Sequence, residues 1–278
     1  MVFAHRPQLR PLAIAALLTL VPVPGCGSSP RLATPTVVPE LENRPWTSAL
    51  GAPVRGDTNK KEIALIFTGG EFGEGTSHVL DALDQRKMRA SFFVTGDFIR
   101  QPSLEAQLRR AVKGGHYIGP HSDAHPLYCA WDDRPKTLVT EAFFRRDLEK
   151  NIADLRALGA ELPPTGEPIY FIPPYEWYNG DQVQWSQEMG VVLFNFTPGS
   201  GSNRDFAPEG HKSFVPSQRL VNDILAYEQK DPHGLNGFLL LLHLGSRRTD
   251  KVHPLIPPLL DELAARGYTF VKVNDMLR

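Results

Sequence analysis

Cysteine is almost absent from this chain. The two present, Cys26 and Cys129, are too few for a disulfide framework or a four-cysteine zinc site. An excess of one charge is missing too: 30 Lys and Arg stand against 31 Asp and Glu. That balance leaves no electrostatic footprint for nucleic acid and argues against a DNA- or RNA-binding role. No apolar run reaches the ~18 residues of a membrane-spanning helix, because Pro22 and Pro24 end the first one. The glycine-rich segment at 69–75 has no Gly-Lys-Ser/Thr after it, which excludes a phosphate cradle of that type. With 41% hydrophobic and 22% charged residues, the chain has the composition of a globular protein with a real core.

The N-terminus reads as an export signal. Arg6 and Arg10 precede the apolar stretch from Leu12 to Val21, and small residues follow up to Cys26. Val23-Pro24-Gly25-Cys26 resembles the lipobox of bacterial lipoproteins. The resemblance implies a lipidated Cys26 that anchors an exported protein to a membrane face in the bacterial cell envelope. Residues 27–59, rich in Pro, Ser and Thr in their first part, are expected to be a tether and lead-in, and 60–278 one domain.

From Lys60 onward, short apolar runs alternate with amphipathic segments, the pattern of a parallel α/β sheet or barrel. Strands are expected at 62–67, 90–94, 117–118, 169–172, 191–195, 238–242 and 269–273. Helices are expected at 76–86, 103–113, 140–158, 180–189, 216–230 and 254–266. Several helical segments run into Gly (Gly114, Gly159, Gly190, Gly267), as helix C-termini do. Chemistry in such folds sits on loops beyond the C-terminal strand ends. That selects 68–75, 119–133, 173–180, 197–213 and 243–250.

Those loops hold a limited set of reactive groups. His121 and His125, four apart just past a strand, can turn their imidazoles to one divalent metal. His243 ends a wholly apolar strand and is suited to proton donation as much as to ligation. Glu71 and Glu74 lie on the glycine-rich loop, and Asp123 lies between the paired histidines. Pro173-Pro174-Tyr175-Glu176-Trp177-Tyr178 combines a stiff turn, able to aim a backbone N–H at an oxyanion, with aromatic rings of the kind that stack on sugars. Trp131 adds another ring. Cys129, His5, His78, His116, His211, His233 and His253 read as structural, and Arg247, Arg248 and Asp250 as solvated charge.

Taken in order, Ala64-Leu-Ile-Phe-Thr-Gly-Gly70, Ala90-Ser-Phe-Phe-Val-Thr-Gly96, Gly115 to Pro126, Pro173-Pro-Tyr175 and Leu241-Leu-His243 resemble the polysaccharide deacetylases, the NodB-homology superfamily or carbohydrate esterase family four. The resemblance implies a distorted (β/α) barrel of about seven parallel strands. It also implies one divalent metal, zinc or else cobalt, nickel or manganese, and removal of N-acetyl or O-acetyl groups from a carbohydrate polymer. His121 and His125 would be metal ligands, and Ser122 would brace their loop. Tyr175 would lend its N–H to the oxyanion, and His243 would be the general acid.

The first motif departs from the family's Thr-Phe-Asp-Asp-Gly. Thr68 and Gly69 stand where the base and metal-ligand aspartates belong, and Ile172 replaces the Arg that orients the base. Relocation is the expectation: Glu71, Asp123 and Glu176, which stands after Pro-Pro-Tyr where the family usually has Gly, would form an alternative site, with Glu71 as base and third ligand and Asp123 as the next candidate. Trp131, Glu176, Trp177 and Tyr178 are expected to bind substrate, in a monomer. The alternative is a catalytically inactive glycan-binding barrel, with a metal-dependent O-acetylesterase a third reading. Mass spectrometry of the mature N-terminus is expected to find a diacylated or triacylated Cys26; an unmodified thiol there would remove the anchor.

Overall fold

A computed structural model describes residues 44–163 and 167–278. The signal segment 1–26, Cys26 and the first part of the tether lie outside those residues. The parallel sheet is built on β3 (Glu62–Gly69), whose Ile63–Phe67 run is fully buried. Strand β8 (Phe238–His243) covers one edge along nearly the whole of β3. The other edge is shared. β9 (Thr269–Val271) pairs with Glu62–Ala64 and β4 (Ser91–Val94) with Ile66–Gly69. β5 (Tyr117–Pro120) adds to β4, and β6 (Ile169–Phe171) pairs with β7 (Val191–Leu193) as a separate parallel ribbon.

Single bonds rather than ladders join the ribbon to the sheet. The Tyr170 N–H donates to the Tyr117 hydroxyl at 2.8 Å, and the Thr197 N–H to the Leu239 carbonyl at 3.0 Å. The expected distorted parallel barrel is therefore the observed one. Helices α1 (Thr76–Gln85), α3 (Glu105–Lys113), α4 (Glu141–Leu158), α5 (Gly180–Glu188), α6 (Ser217–Lys230) and α7 (Ile256–Ala265) fall where the periodicity places them. The short α2 (Gly96–Ile99) and α8 (Val273–Met276) are too brief to show one. Among the described residues no helix is long and apolar enough to cross a membrane.

No strand or helix is expected between the tether and Lys60, yet the lead-in there is folded. β1 (Thr47–Ala49) and β2 (Ala52–Arg55) form an antiparallel hairpin. The Pro53 carbonyl accepts the Asn195 N–H, and the Val54 carbonyl accepts the Thr197 hydroxyl. Arg55 is buried and its guanidinium spans Asn236 O, Gly234 O and Asp231. Nothing in a four-residue strand distinguishes it from a Pro-rich tether until its partners are known.

Gly237 marks how closely this lead-in approaches the strand β8 turn. It sits at φ +64°, and a Cβ there would lie 2.6 Å from the Gly56 backbone. Gly237→Ala is expected to cost about 1–3 kcal/mol from the left-handed backbone alone, with more from the collision, measured by urea unfolding.

Candidate active site

The parallel strands deliver their C-terminal ends to one mouth. The loop after β5 carries both paired histidines. His121 is 3% exposed; its backbone N–H donates to Asn151 Oδ1 at 2.9 Å, and its Nδ1 lies 2.8 Å from the Ile172 carbonyl. A carbonyl only accepts, so Nδ1 carries the proton and Nε2 presents a bare lone pair. Ser122 (φ +73°) and His125 (φ +52°) are in left-handed backbone, a conformation costing each about 1–3 kcal/mol.

Asp147 holds that strain in place. It accepts the Ser122 hydroxyl and the N–H groups of Asp123 and Ala124, at 3.0 and 2.9 Å, while Ser122 Oγ accepts the His125 N–H at 3.1 Å. The two imidazole centroids are 4.9 Å apart. Burial, with His125 adding to it, holds His121 well below the ordinary histidine value. Burial and then His243 take His125 down to about 4. Both rings are neutral at physiological pH.

The second element is a dyad that the sequence did not single out. His243 Nδ1 lies 2.6 Å from Asp205 Oδ1, and its backbone N–H donates to Oδ2 at 2.8 Å. One buried carboxylate therefore fixes both the tautomer and the ring. Burial pulls His243 down, but Asp205 overcomes it and the group ends above its ordinary value.

Asp205 rides on a 3-10 turn, Ser202–Phe206, that opens from Gly201 at φ +73°. Arg248, expected as solvated charge, is 1% exposed and corrects that reading. Its guanidinium gathers Ala207 O, Val215 O, Ser217 Oγ and Asp250, stapling the loop that carries Asp205.

The third element is the turn after β6. Tyr175 and Glu176 are consecutive L-residues at φ +59° and +52°. Bonds from Glu176 N–H to Pro173 O (2.9 Å) and Trp177 N–H to Pro174 O (3.2 Å) tie the turn without using the Tyr175 N–H. The Tyr175 ring lies 4.4 Å from His125 and 5.8 Å from Trp131, whose ring is 5.4 Å from Trp177. Trp131 and Tyr175 are exposed, so this is an aromatic wall open to solvent beside the histidines. Phe206, also exposed, lies 5.8 Å from His243. Burial raises Glu176 to about 7, with His243 opposing and Asp205 adding.

A family model described as polysaccharide deacetylase matches residues 55–194. The chain belongs to the polysaccharide deacetylase family. A peptidoglycan-N-acetylglucosamine deacetylase of Bacillus cereus is 30% identical over 79% of this chain and 90% of its own length. Among solved structures, the Bc1960 peptidoglycan N-acetylglucosamine deacetylase superposes with TM-score 0.65 at 23% identity, covering 83% of this chain and 97% of that one. BA3943 of Bacillus anthracis, described as a CE4 family pseudoenzyme, gives 0.63 at 17% identity over 83% and 70%. At those identities the two structures establish the fold.

Several expected site residues of this deacetylase-family chain are not brought together. Glu71 is corrected: its carboxylate pairs with Arg247 at 3.0 Å on a surface where both side chains are about two-thirds exposed. Asp123 is corrected as well. It points to Arg100 (2.6 Å) and Lys150 (2.8 Å), fills the space beside Gly96, and these cations hold it below the usual carboxylate range against the opposing effect of burial. Tyr178 is fully buried with its hydroxyl on the Ala49 carbonyl, so it faces the lead-in rather than a ligand.

Family deacetylases are generally metal-dependent, and a catalytic metal usually rests on three protein donors. Two neutral imidazoles are present here, but the described residues hold no group of three His, Cys, Asp or Glu able to take a metal. At Gly69, where the resemblance places the ligand aspartate, a Cβ would lie 2.6 Å from Phe98 Cε2 and 3.0 Å from Leu244 Cδ1. The donor set does not fit a resident metal ion. Asp205→Asn is expected to return His243 towards neutrality at pH 7, read by NMR titration of its ring protons, and to lower kcat about 10²–10⁴-fold.

Proposed function

We propose that the chain hydrolyses N-acetyl groups on a carbohydrate polymer of the cell envelope, outside the cytoplasm and held there through lipidated Cys26. The observation that carries this reading is the His243–Asp205 dyad beside the Tyr175 turn, with an exposed aromatic wall alongside. His243, whose hold on its proton Asp205 strengthens against the opposing effect of burial, donates to the departing amine nitrogen. The Tyr175 N–H is available to an oxyanion forming on the acetyl carbon. Trp131, Tyr175 and Trp177 offer apolar faces to sugar rings, and Arg134, 4.0 Å over the Trp177 ring, keeps that indole in place.

No step here runs through a metal. Zinc, the ion the resemblance implies, would find His121 and His125 as its protein donors, so added zinc is a variable of the assay rather than a premise. The relatives' names supply the substrates to try: chitooligosaccharides and peptidoglycan N-acetylglucosamine.

A second reading is supported by one observation. Thr68 and Gly69 cannot do the work of aspartates, and Phe98 packs where the second would project. A barrel that binds glycan without hydrolysing it follows from that loss.

Acetate release from chitotetraose, with and without added zinc, separates the two. Release is expected, with His243→Ala lowering kcat about 10²–10⁴-fold while oligosaccharide binding survives. Trp131→Ala is expected to weaken binding and raise KM. Binding without release in every arm would leave the non-hydrolytic barrel.

A further inference from the structure

The proposed hydrolysis needs a group to take a proton from water, and most carboxylates around the mouth are engaged elsewhere. Glu71 is held by Arg247, Asp123 by Arg100 and Lys150, and Glu74 by Lys251. Asp147 is committed to the histidine loop, and both oxygens of Asp205 serve His243. Glu176 is the exception. Among the described residues its carboxylate takes part in no hydrogen bond or ion pair, although its backbone is pinned at both ends. Its N–H donates to Pro173 O, and its carbonyl accepts Asn195 Nδ2 at 2.7 Å.

The backbone at Glu176 makes this arrangement informative. A residue at φ +52°, directly after another at +59°, is where glycine costs least. The chain places a glutamate there, half-buried and within electrostatic reach of His243 and Asp205. Strain retained at a functional cleft is an observation from which a role can be inferred.

We propose that Glu176 is the general base of the reaction, standing in for the carboxylate absent at Thr68. This rests on the hydrolytic reading above. The Glu176 carboxylate removes a proton from water as its oxygen bonds to the acetyl carbon. The tetrahedral species collapses with cleavage of the C–N bond, and His243 gives its proton to nitrogen. Acetic acid and a free amine leave, the acid losing its proton to solvent to become acetate, and the proton on Glu176 passes to solvent as His243 regains one.

The charged and titratable groups facing Glu176 are His243 from β8 and Asp205 from the 202–206 turn; the neutral His121 and His125 couple to the cluster through His243. A carboxyl raised to about 7 must be ionised to act, so the rate rises as pH climbs through that value. His243 must stay protonated, so the rate falls above its own raised value.

The test uses the full chain and chitotetraose. Glu176→Gln is expected to lower kcat about 10²–10⁴-fold, to leave KM within a few-fold, and to abolish the acidic limb of the pH profile. Glu176→Gly suits the backbone, so it is expected to melt above wild type, to be equally slow, and to regain rate with added formate. If Glu176→Gln keeps the wild-type kcat and acidic limb while His243→Ala is inactive, the base assignment falls and the hydrolytic reading stands. If the wild type releases no acetate with or without zinc, both fall together.

Discussion

The site hangs on a buried carboxylate that never touches the reacting groups. Asp147, on the inner face of α4, gathers two backbone N–H groups and a hydroxyl from 122–124, while Asn151 one turn on takes the His121 N–H. These bonds force Ser122 and His125 into left-handed backbone and hold two imidazoles side by side. Withdrawing Asp147 would leave several inward-facing donors unsatisfied, each a penalty of about 1–3 kcal/mol, and the loop would have no reason to stay strained. Arg248 plays the equivalent part for the opposite wall, because Asp205 can orient His243 only while its loop is stapled.

Two titrating clusters of opposite tendency therefore meet at one mouth. Burial keeps His121 and His125 neutral, whereas Asp205 keeps His243 inclined to hold its proton. Glu176 lies between these tendencies, its carboxyl raised by burial to about 7. Pairs of groups driven apart in this way are how a protein runs acid and base chemistry together. Under the proposed function this division of labour would serve amide hydrolysis in the absence of the first-motif aspartates.

The fold was largely legible from residue pattern, because strands such as 62–67 and 238–242 are uninterrupted apolar runs between amphipathic segments. The site was legible in part. His121, His125, His243 and the Tyr175 turn announce themselves by lying just past strand ends. Asp147 and Asn151 left a fainter trace, as polar residues four apart on the helix face that also carries Phe144, Leu148, Ile152 and Leu155. Asp205 left less still, one acid in a long loop.

Sequence alone determined the strands and longer helices from Glu62 onward and brought His121, His125, His243 and Tyr175 to the mouth, since strand period, helix period and chain order are local properties. It could not say which carboxylate faces inward. Glu71 and Asp123 are nearer to the motifs, but each has a cation waiting on a neighbouring element, Arg247 for one and Arg100 with Lys150 for the other. Only tertiary packing brings those cations into place, seats Phe98 against Gly69, and leaves Glu176 within electrostatic reach of His243, its carboxylate in no hydrogen bond or ion pair among the described residues. Charge pairing and excluded volume act through space, and the spacing of residues along a chain does not encode them.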